Sequence, residues 1–310
     1  MVRKLKILLP PPDSSPTTTH CMSLFSQSIA KCIRYAEIRL HHAGVDAPRL
    51  SAELLLAFLL QSERLWVLTH LDTVLCPSQV EAYIELVGRR ARGEPLAYLL
   101  GRKEFFGIDL HVTPAVLIPR PDTEVLIETC QYLWSQNAEL QFVDAGTGSG
   151  AIGIAMALQF PKSHGLLTDM SMDALGVAKR NVSRYGLESR LSCICCDLLS
   201  VCRRESQQVI LSNPPYISTT AYWALSTEIR HFEPLGALWS GMSGMEMHVR
   251  LIEQAQWALQ KGGWLCMEIG NTQSMPLLHM LQSRSPGNWS EMQIFPDWTG
   301  MDRVLVAKRV

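Results

Sequence analysis

From about residue 139 to the C-terminus, short apolar runs of strand length alternate with longer runs of helical spacing. No other feature constrains the fold of this 310-residue chain as strongly. Leu140 to Val143, Gly165 to Thr168, Leu191 to Cys196, Val209 to Leu211 and Trp264 to Ile269 read as strands. Between them, Ala151 to Gln159, Met172 to Tyr185, Glu246 to Leu259 and Thr272 to Ser283 read as helices. Met292 to Phe295 and Val304 to Ala307 read as a closing strand pair. Such alternation builds a mostly parallel sheet covered by helices on both faces, so the expected fold class is α/β and Rossmann-like. Ligands of these sheets bind beyond the carboxyl ends of the strands. Both polar motifs of the chain fall there.

The first motif is Phe142-Val-Asp144-Ala-Gly146-Thr147-Gly148-Ser149-Gly150, which joins a strand to a helix. Glycines at such a turn let the backbone bend tightly and approach a ligand closely. Asp169 ends the next strand, where a carboxylate can accept hydrogen bonds from a ribose. Asp197 ends the strand after that, in place to meet the adenine end of the same ligand. The pattern differs from the dinucleotide fingerprint because Asp144 stands just before the first glycine. A carboxylate there repels a pyrophosphate and suits a cation such as the amino and sulfonium groups of S-adenosylmethionine. The loop also lacks the Lys-Ser/Thr pair of a phosphate-binding loop. The expected cofactor is S-adenosylmethionine rather than NAD or ATP, and no metal is expected.

The second motif is Asn213-Pro214-Pro215-Tyr216. Two prolines fix φ and remove two donors, leaving rigid carbonyl acceptors. Asn213 adds a side-chain acceptor and Tyr216 an aromatic face with a polar tip. A site rich in fixed acceptors suits a planar NH₂ group, whose delocalised lone pair makes it a poor nucleophile. Acceptors that hold both N–H bonds aim the nitrogen and stabilise the positive charge that develops on it.

Upstream, residues from about 23 to 92 are helical in pattern, with no convincing strand. Asp46 before Pro48 marks one helix start, and Ser78 with Glu81 suggests a capping box. A hairpin is expected around Gly107 within 104–118, and a helix from Thr123 to Trp134. The first 22 residues are too proline-rich, with too short an apolar run, for a secretory signal, and read as a disordered leader. The net charge of −1 and 47% hydrophobic content exclude a largely disordered chain and a broad basic nucleic-acid-binding face. No run is long and apolar enough for a transmembrane helix. Arg89, Arg90, Arg92, Arg102 and Lys103, with Glu94 and Glu104 beside them, form a local basic cluster: a solvated helix end or a partner-binding patch. Nine cysteines fit thiols in a reducing cytosol. Cys193, Cys195, Cys196 and Cys202 lack zinc-ligand spacing, and Cys193 and Cys195 are expected to share one sheet face as buried small hydrophobes.

Together the motifs resemble the HemK/PrmC family of release-factor glutamine N5-methyltransferases. The resemblance covers nearly everything after about residue 30. It includes Arg90-Ala-Arg-Gly-Glu94-Pro95, Glu104-Phe105-Phe106-Gly107, Pro119-Arg120-Pro121-Asp122-Thr123-Glu124, Phe232-Glu233-Pro234, Glu268-Ile-Gly270 and Asp302-Arg303, besides the two motifs above. It implies a class I methyltransferase fold behind a small N-terminal helical domain. The expected division is a leader at 1–22, a helical substrate-recognition domain at 23–95, a hairpin and linker at 96–125, and a catalytic domain at 126–310. It also implies methyl transfer to the glutamine of the Gly-Gly-Gln loop of peptide-chain release factors, by a cytoplasmic monomer without direct nucleic-acid or membrane binding. By position, Asp144, Gly146, Thr147, Gly148, Ser149, Gly150, Asp169, Asp197, Leu198 and Asn213 would hold the cofactor. Asn213, Pro214, Pro215 and Tyr216 would clamp the glutamine amide, with Arg120 and Thr123 bordering it. Leu198 stands where an aromatic often packs on adenine, so apolar contact would replace stacking. A ribosomal-protein glutamine methyltransferase shares these motifs, and an adenine N6-methyltransferase shares Asn-Pro-Pro-Tyr; these are the alternatives.

Overall fold

The computed structural model describes residues 26–284 and 287–310; the expected leader lies outside them. Five helices come first: α1 (Ile29–His42), α2 (Pro48–Leu59), α3 (Arg64–Thr69), α4 (Pro77–Ala91) and α5 (Leu96–Leu100). Their apolar faces enclose a core of their own, with Leu40, Leu55, Leu56, Val80 and Tyr83 inside. Tyr83 is an aromatic that can be buried because its hydroxyl donates to Ala52 O at 2.8 Å. Two-residue strands β1 (Gln27–Ser28) and β2 (Val74–Leu75) pair here, where the sequence suggested none. Strands this short carry no readable alternation. The helix start near residue 78 also differs from expectation. Pro77 occupies the first helical turn, so the cap is Cys76, whose N–H donates to the Gln79 side chain at 3.0 Å, and Ser78 with Glu81 make no capping box.

A hairpin follows, β3 (Arg102–Phe105) with β4 (Ile108–His111). A 3₁₀ turn at Pro121–Thr123 leads into α6 (Glu124–Leu133). The remainder alternates as expected: β5 (Gln141–Ala145), α7 (Ala151–Gln159), β6 (His164–Asp169), α8 (Met172–Arg184), β7 (Leu191–Cys195) and β8 (Gln207–Ser212). Two short helices, α9 (Thr219–Ala224) and α10 (Thr227–Phe232), come next. After them lie α11 (Glu246–Ala258), β9 (Leu259–Glu268), α12 (Ser274–Arg284), β10 (Trp289–Pro296) and β11 (Asp302–Arg309).

Seven strands form one sheet in the order β10-β11-β9-β8-β5-β6-β7. Pairings from β9 through β7 are parallel, and β11 joins β9 and β10 antiparallel. Alternate residues feed two cores: Phe142 and Leu211 on one face, Val143 and Ile210 on the other. Burial on both faces explains why these strands are nearly continuous apolar runs. The chain leaves β5 in one direction toward β6 and β7, then returns to β8 on its other side. The switch point between β5 and β8 opens a crevice at their carboxyl ends.

β7 is the sheet edge, which corrects one expectation. Cys193 is only half-buried and Cys195 is exposed, because no further strand covers them.

The N-terminal helices meet α10 through Arg90, which is buried. Its Nη1 donates to Glu94 O at 2.9 Å and to the Glu228 carboxylate on α10 at 2.8 Å. Arg89 makes a two-pronged bond to Glu94 at 2.8 and 2.6 Å. Much of the basic cluster is therefore engaged within the chain.

Candidate active site

The crevice holds a cavity of about 450 Å³, in the size range of small-molecule sites. Its floor is the turn between β5 and α7. Gly146 and Gly148 have φ of +75° and +54°, and a Cβ on either would meet nothing within 4 Å. The backbone there faces open cavity, which is the shape of a cradle. Gly146 N and Thr147 N donate to Thr168 O at 2.8 and 2.9 Å, which ties the turn to β6. Gly148 N donates to Asp169 Oδ2 at 2.9 Å, and Ser171 N to Asp169 Oδ1 at 2.9 Å. Asp169 thus stands at the end of β6 with both oxygens fixed and lone pairs to spare. Asn181, buried on α8, donates to Ser149 O at 2.8 Å and to His111 O at 2.9 Å, joining the cradle to the hairpin. Nothing in the sequence marked that bridge except a polar residue on an apolar helix face.

Asp144 lies beneath the cradle and does not line the cavity. Its Oδ2 accepts from Thr147 Oγ1 at 2.6 Å and Gly153 N at 3.0 Å. Burial, with Asp169 adding to it, outweighs the lowering pull of those two donors and leaves the carboxyl raised to about 6. Gly150 sits behind the turn, also away from the cavity lining. Leu198 lines the cavity, with φ of +49°, a conformation uncommon for leucine. Its carbonyl accepts from Thr168 Oγ1 at 2.8 Å, which holds it there. Asp197 does not line the cavity; its carboxylate pairs with Arg250 on α11. The sequence could not show that partner, which comes from a distant helix.

Asn213, Pro214 and Pro215 form the far wall of the cavity. The Asn213 amide Nδ2 donates to Thr123 Oγ1 at 3.0 Å, which leaves Oδ1 as the acceptor at the lip. A second cavity of about 290 Å³ meets the first at Asn213, Leu117 and Arg120. Tyr216 lines this second space together with Ile229 of α10 and Leu225. Arg120 is anchored by an ion pair to the buried Glu233, whose other oxygen accepts from Ile118 N at 3.1 Å.

The Tyr216 hydroxyl donates to Glu268 Oε1 at 3.1 Å. Glu268 is buried at the end of β9, one more acid at a strand end, and that position was the available sequence signal for it. Burial, aided by Asp122, outweighs the lowering effect of the Thr123 and Tyr216 hydroxyls and of Arg303, and leaves its carboxyl raised to about 7. Gln273 fastens the same loop, donating to Tyr216 O at 3.1 Å and Gly244 O at 3.0 Å.

His248 on α11 is fully buried, and its Nε2–H donates to Glu268 O at 2.9 Å. Desolvation pushes its pKa down from 6.5 to about 4. Between those values the unfolded chain holds a proton that the folded chain does not. This contribution to stability is therefore complete above 6.5 and is lost as pH falls toward 4. The lead of wild type over His248→Gln in urea unfolding is expected to shrink by about 3 kcal/mol between neutral pH and the lower value. Parallel stability profiles would show that His248 is not buried neutral.

Among the described residues, no cluster of three or more His, Cys, Asp or Glu is arranged to hold a metal ion.

Comparison with known proteins gives two family matches along the chain. The PrmC N-terminal domain family matches residues 31–101, and the methyltransferase small domain family matches residues 121–232. The chain is 42% identical over 279 residues to the release factor glutamine methyltransferase of Nitratidesulfovibrio vulgaris, covering 89% of this chain and 94% of that one. It is 36% identical over 283 residues to the protein of the same name from Moorella thermoacetica, covering 91% and 98%. Among solved structures, the hMettl16 catalytic domain in complex with a MAT2A 3′UTR hairpin superposes with a TM-score of 0.54 at 17% identity, covering 72% of this chain and 80% of that one. At that identity the likeness speaks for the methyltransferase fold alone.

Proposed function

The chain belongs to the release factor glutamine methyltransferase family, and we propose that it methylates the glutamine of the Gly-Gly-Gln loop of peptide-chain release factors, with S-adenosylmethionine as donor. It is a methyltransferase. The observation that carries the reading is the Asn213 amide, held by Thr123 where two cavities meet, with its oxygen at the lip.

The residues present fit the donor. The open cradle at Gly146 and Gly148 admits close backbone approach, Asp169 offers a preset acceptor for ribose hydroxyls, and Leu198 offers an apolar surface for adenine. When bound, S-adenosylmethionine supplies a methyl group activated by its sulfonium. Asp144 acts from below by fixing Thr147 and the start of α7. The second cavity, walled by Tyr216 and α10, admits the glutamine side chain from the protein surface. Asn213 Oδ1 and the proline-rich backbone accept its N–H bonds, aim the nitrogen at the first cavity and stabilise charge as it develops. Tyr216 closes the second cavity beside the amide and limits water there. No histidine or other strong base is needed, because the barrier is lowered by positioning and by acceptors already in place, and the methylated nitrogen, positively charged and strongly acidic, gives its extra proton to solvent water as the product leaves. No helix of the described residues is long and apolar enough to cross a membrane. The enzyme is proposed to act as a cytoplasmic monomer.

The test offers intact release factor, ribosomal proteins and a DNA or RNA oligonucleotide side by side, with labelled donor. Label is expected on the release-factor glutamine. Methyl on the oligonucleotide or on a ribosomal protein, with none on release factor, would overturn the assignment.

A further inference from the structure

We infer that Glu268 is a positioning residue for the amide clamp: its carboxylate orients the Thr123 hydroxyl and, through it, turns the Asn213 amide so that oxygen rather than nitrogen faces the second cavity. The inference rests on the reading above only where turnover is measured.

A threonine hydroxyl has one proton to give and lone pairs with which to accept. At Thr123 a lone pair is taken by Asn213 Nδ2–H at 3.0 Å. Its own proton then needs an acceptor. Glu268 stands close enough for the Thr123 hydroxyl to favour its charge, and Glu268 Oε2 is a buried oxygen without a hydrogen-bond partner, so turning the Thr123 proton toward it satisfies both groups. Tyr216 O–H already occupies the companion oxygen, Oε1, at 3.1 Å. An ionised carboxylate accepts only, so it forces both hydroxyls to donate inward, and Asn213 must then present its N–H to Thr123. Asn213 and Tyr216, two of the residues that line the second cavity, are thereby set by one carboxylate.

Protonation reverses this order. A neutral carboxylic acid has a proton of its own to give, so the Thr123 proton is released toward Asn213. The amide can then turn its oxygen to Thr123 and its NH₂ to the cavity. A donor at that place meets the N–H of an incoming amide and does not hold it. Every charged or titratable group around Glu268 enters this balance. Arg303 on β11 favours the ionised form and is itself tied to Asp122 and Asp297, each at 3.1 Å. Asp122 opposes ionisation. Tyr216 donates to the carboxylate, and His248 from α11 bonds only the backbone carbonyl. With burial, these place the ionisation near 7, where small changes of pH alter the clamp.

The experiment uses the full chain with ¹⁵N-labelled asparagine, the Asn213 side-chain signals being identified by their loss in Asn213→Ala. In wild type these signals are expected to titrate with a midpoint near 7. The value of kcat/KM on release factor, which reports groups titrating in the free enzyme, is expected to rise with pH through the same midpoint. Glu268→Gln keeps an acceptor oxygen but cannot ionise, so both pH responses should vanish in it. Glu268→Leu should cost roughly 100-fold in kcat, with Glu268→Gln recovering part of that. Asn213 signals that do not titrate in wild type, or that titrate identically in Glu268→Gln, would overturn the inference. If Glu268→Leu does not fold, the Gln variant and the Asn213 signals decide it alone. If wild type puts no methyl on release factor while the Asn213 signals behave as stated, the substrate assignment fails and the role of Glu268 stands.

Discussion

Asn213→Ala is expected to lower kcat for release-factor methylation by roughly 10² to 10³, the usual cost of deleting one preset group that stabilises charge in the transition state. An amide nitrogen has its lone pair delocalised into the carbonyl, so it reacts only when held with both N–H bonds occupied and its lone pair aimed. Asn213 Oδ1 is the side-chain acceptor at the lip between the two cavities, and Thr123 fixes its direction. Alanine removes the acceptor without touching the cradle, whose Gly146, Thr147 and Gly148 are held by β6 and Asp169. Donor affinity measured by equilibrium dialysis should therefore persist while turnover collapses. Turnover close to wild type would remove Asn213 from the chemistry and sink the clamp.

Asp169→Ala is expected to act on the other half of the reaction. Donor affinity measured by calorimetry should fall by roughly 10- to 100-fold, the worth of hydrogen bonds to a charged acceptor. The carboxylate serves twice. It offers lone pairs for ribose hydroxyls, and it already holds Gly148 N and Ser171 N, each at 2.9 Å. Alanine loses the ligand contact and loosens the turn that makes the cradle. Asp169→Asn should retain more affinity, since one amide oxygen can still accept from Gly148. At saturating donor, much of the turnover should return, because the amide clamp is untouched. Unchanged affinity in Asp169→Ala would mean that the ribose lies elsewhere.

The α/β sheet was legible because its central strands are buried on both faces, which leaves nearly uninterrupted apolar runs between helical stretches. The cradle and the amide-facing loop were legible because glycine and proline impose backbone geometry by themselves. Other parts depend on neighbours far away in sequence. Asp197 reads like Asp169, yet its carboxylate is claimed by Arg250. Asp144 reads as facing the ligand, yet it points at Thr147 and Gly153 beneath the turn. Helices α9 and α10 have six residues each and no fully buried side chain, so no periodic face announced them. Even so, Ile229 of α10 lines the second cavity. Glu268 was visible as an acid closing an apolar strand, but its meaning comes from Thr123 and Tyr216, which only the fold brings to it.

The two rims of the sheet differ in how much change each can absorb. Asp169, Asn213 and Glu268 all sit at or just beyond the carboxyl ends of parallel strands whose registers fix one another. One residue inserted into β5, β6 or β8 would turn the following side chains to the opposite face and dismantle the constellation. The turns at the opposite rim, such as 161–162 between α7 and β6 and 203–204 between β7 and β8, are exposed and carry none of it. Extra residues there lengthen a solvated loop at small entropic cost. The chain can vary in length along one edge of the sheet while the spacing along the other stays fixed.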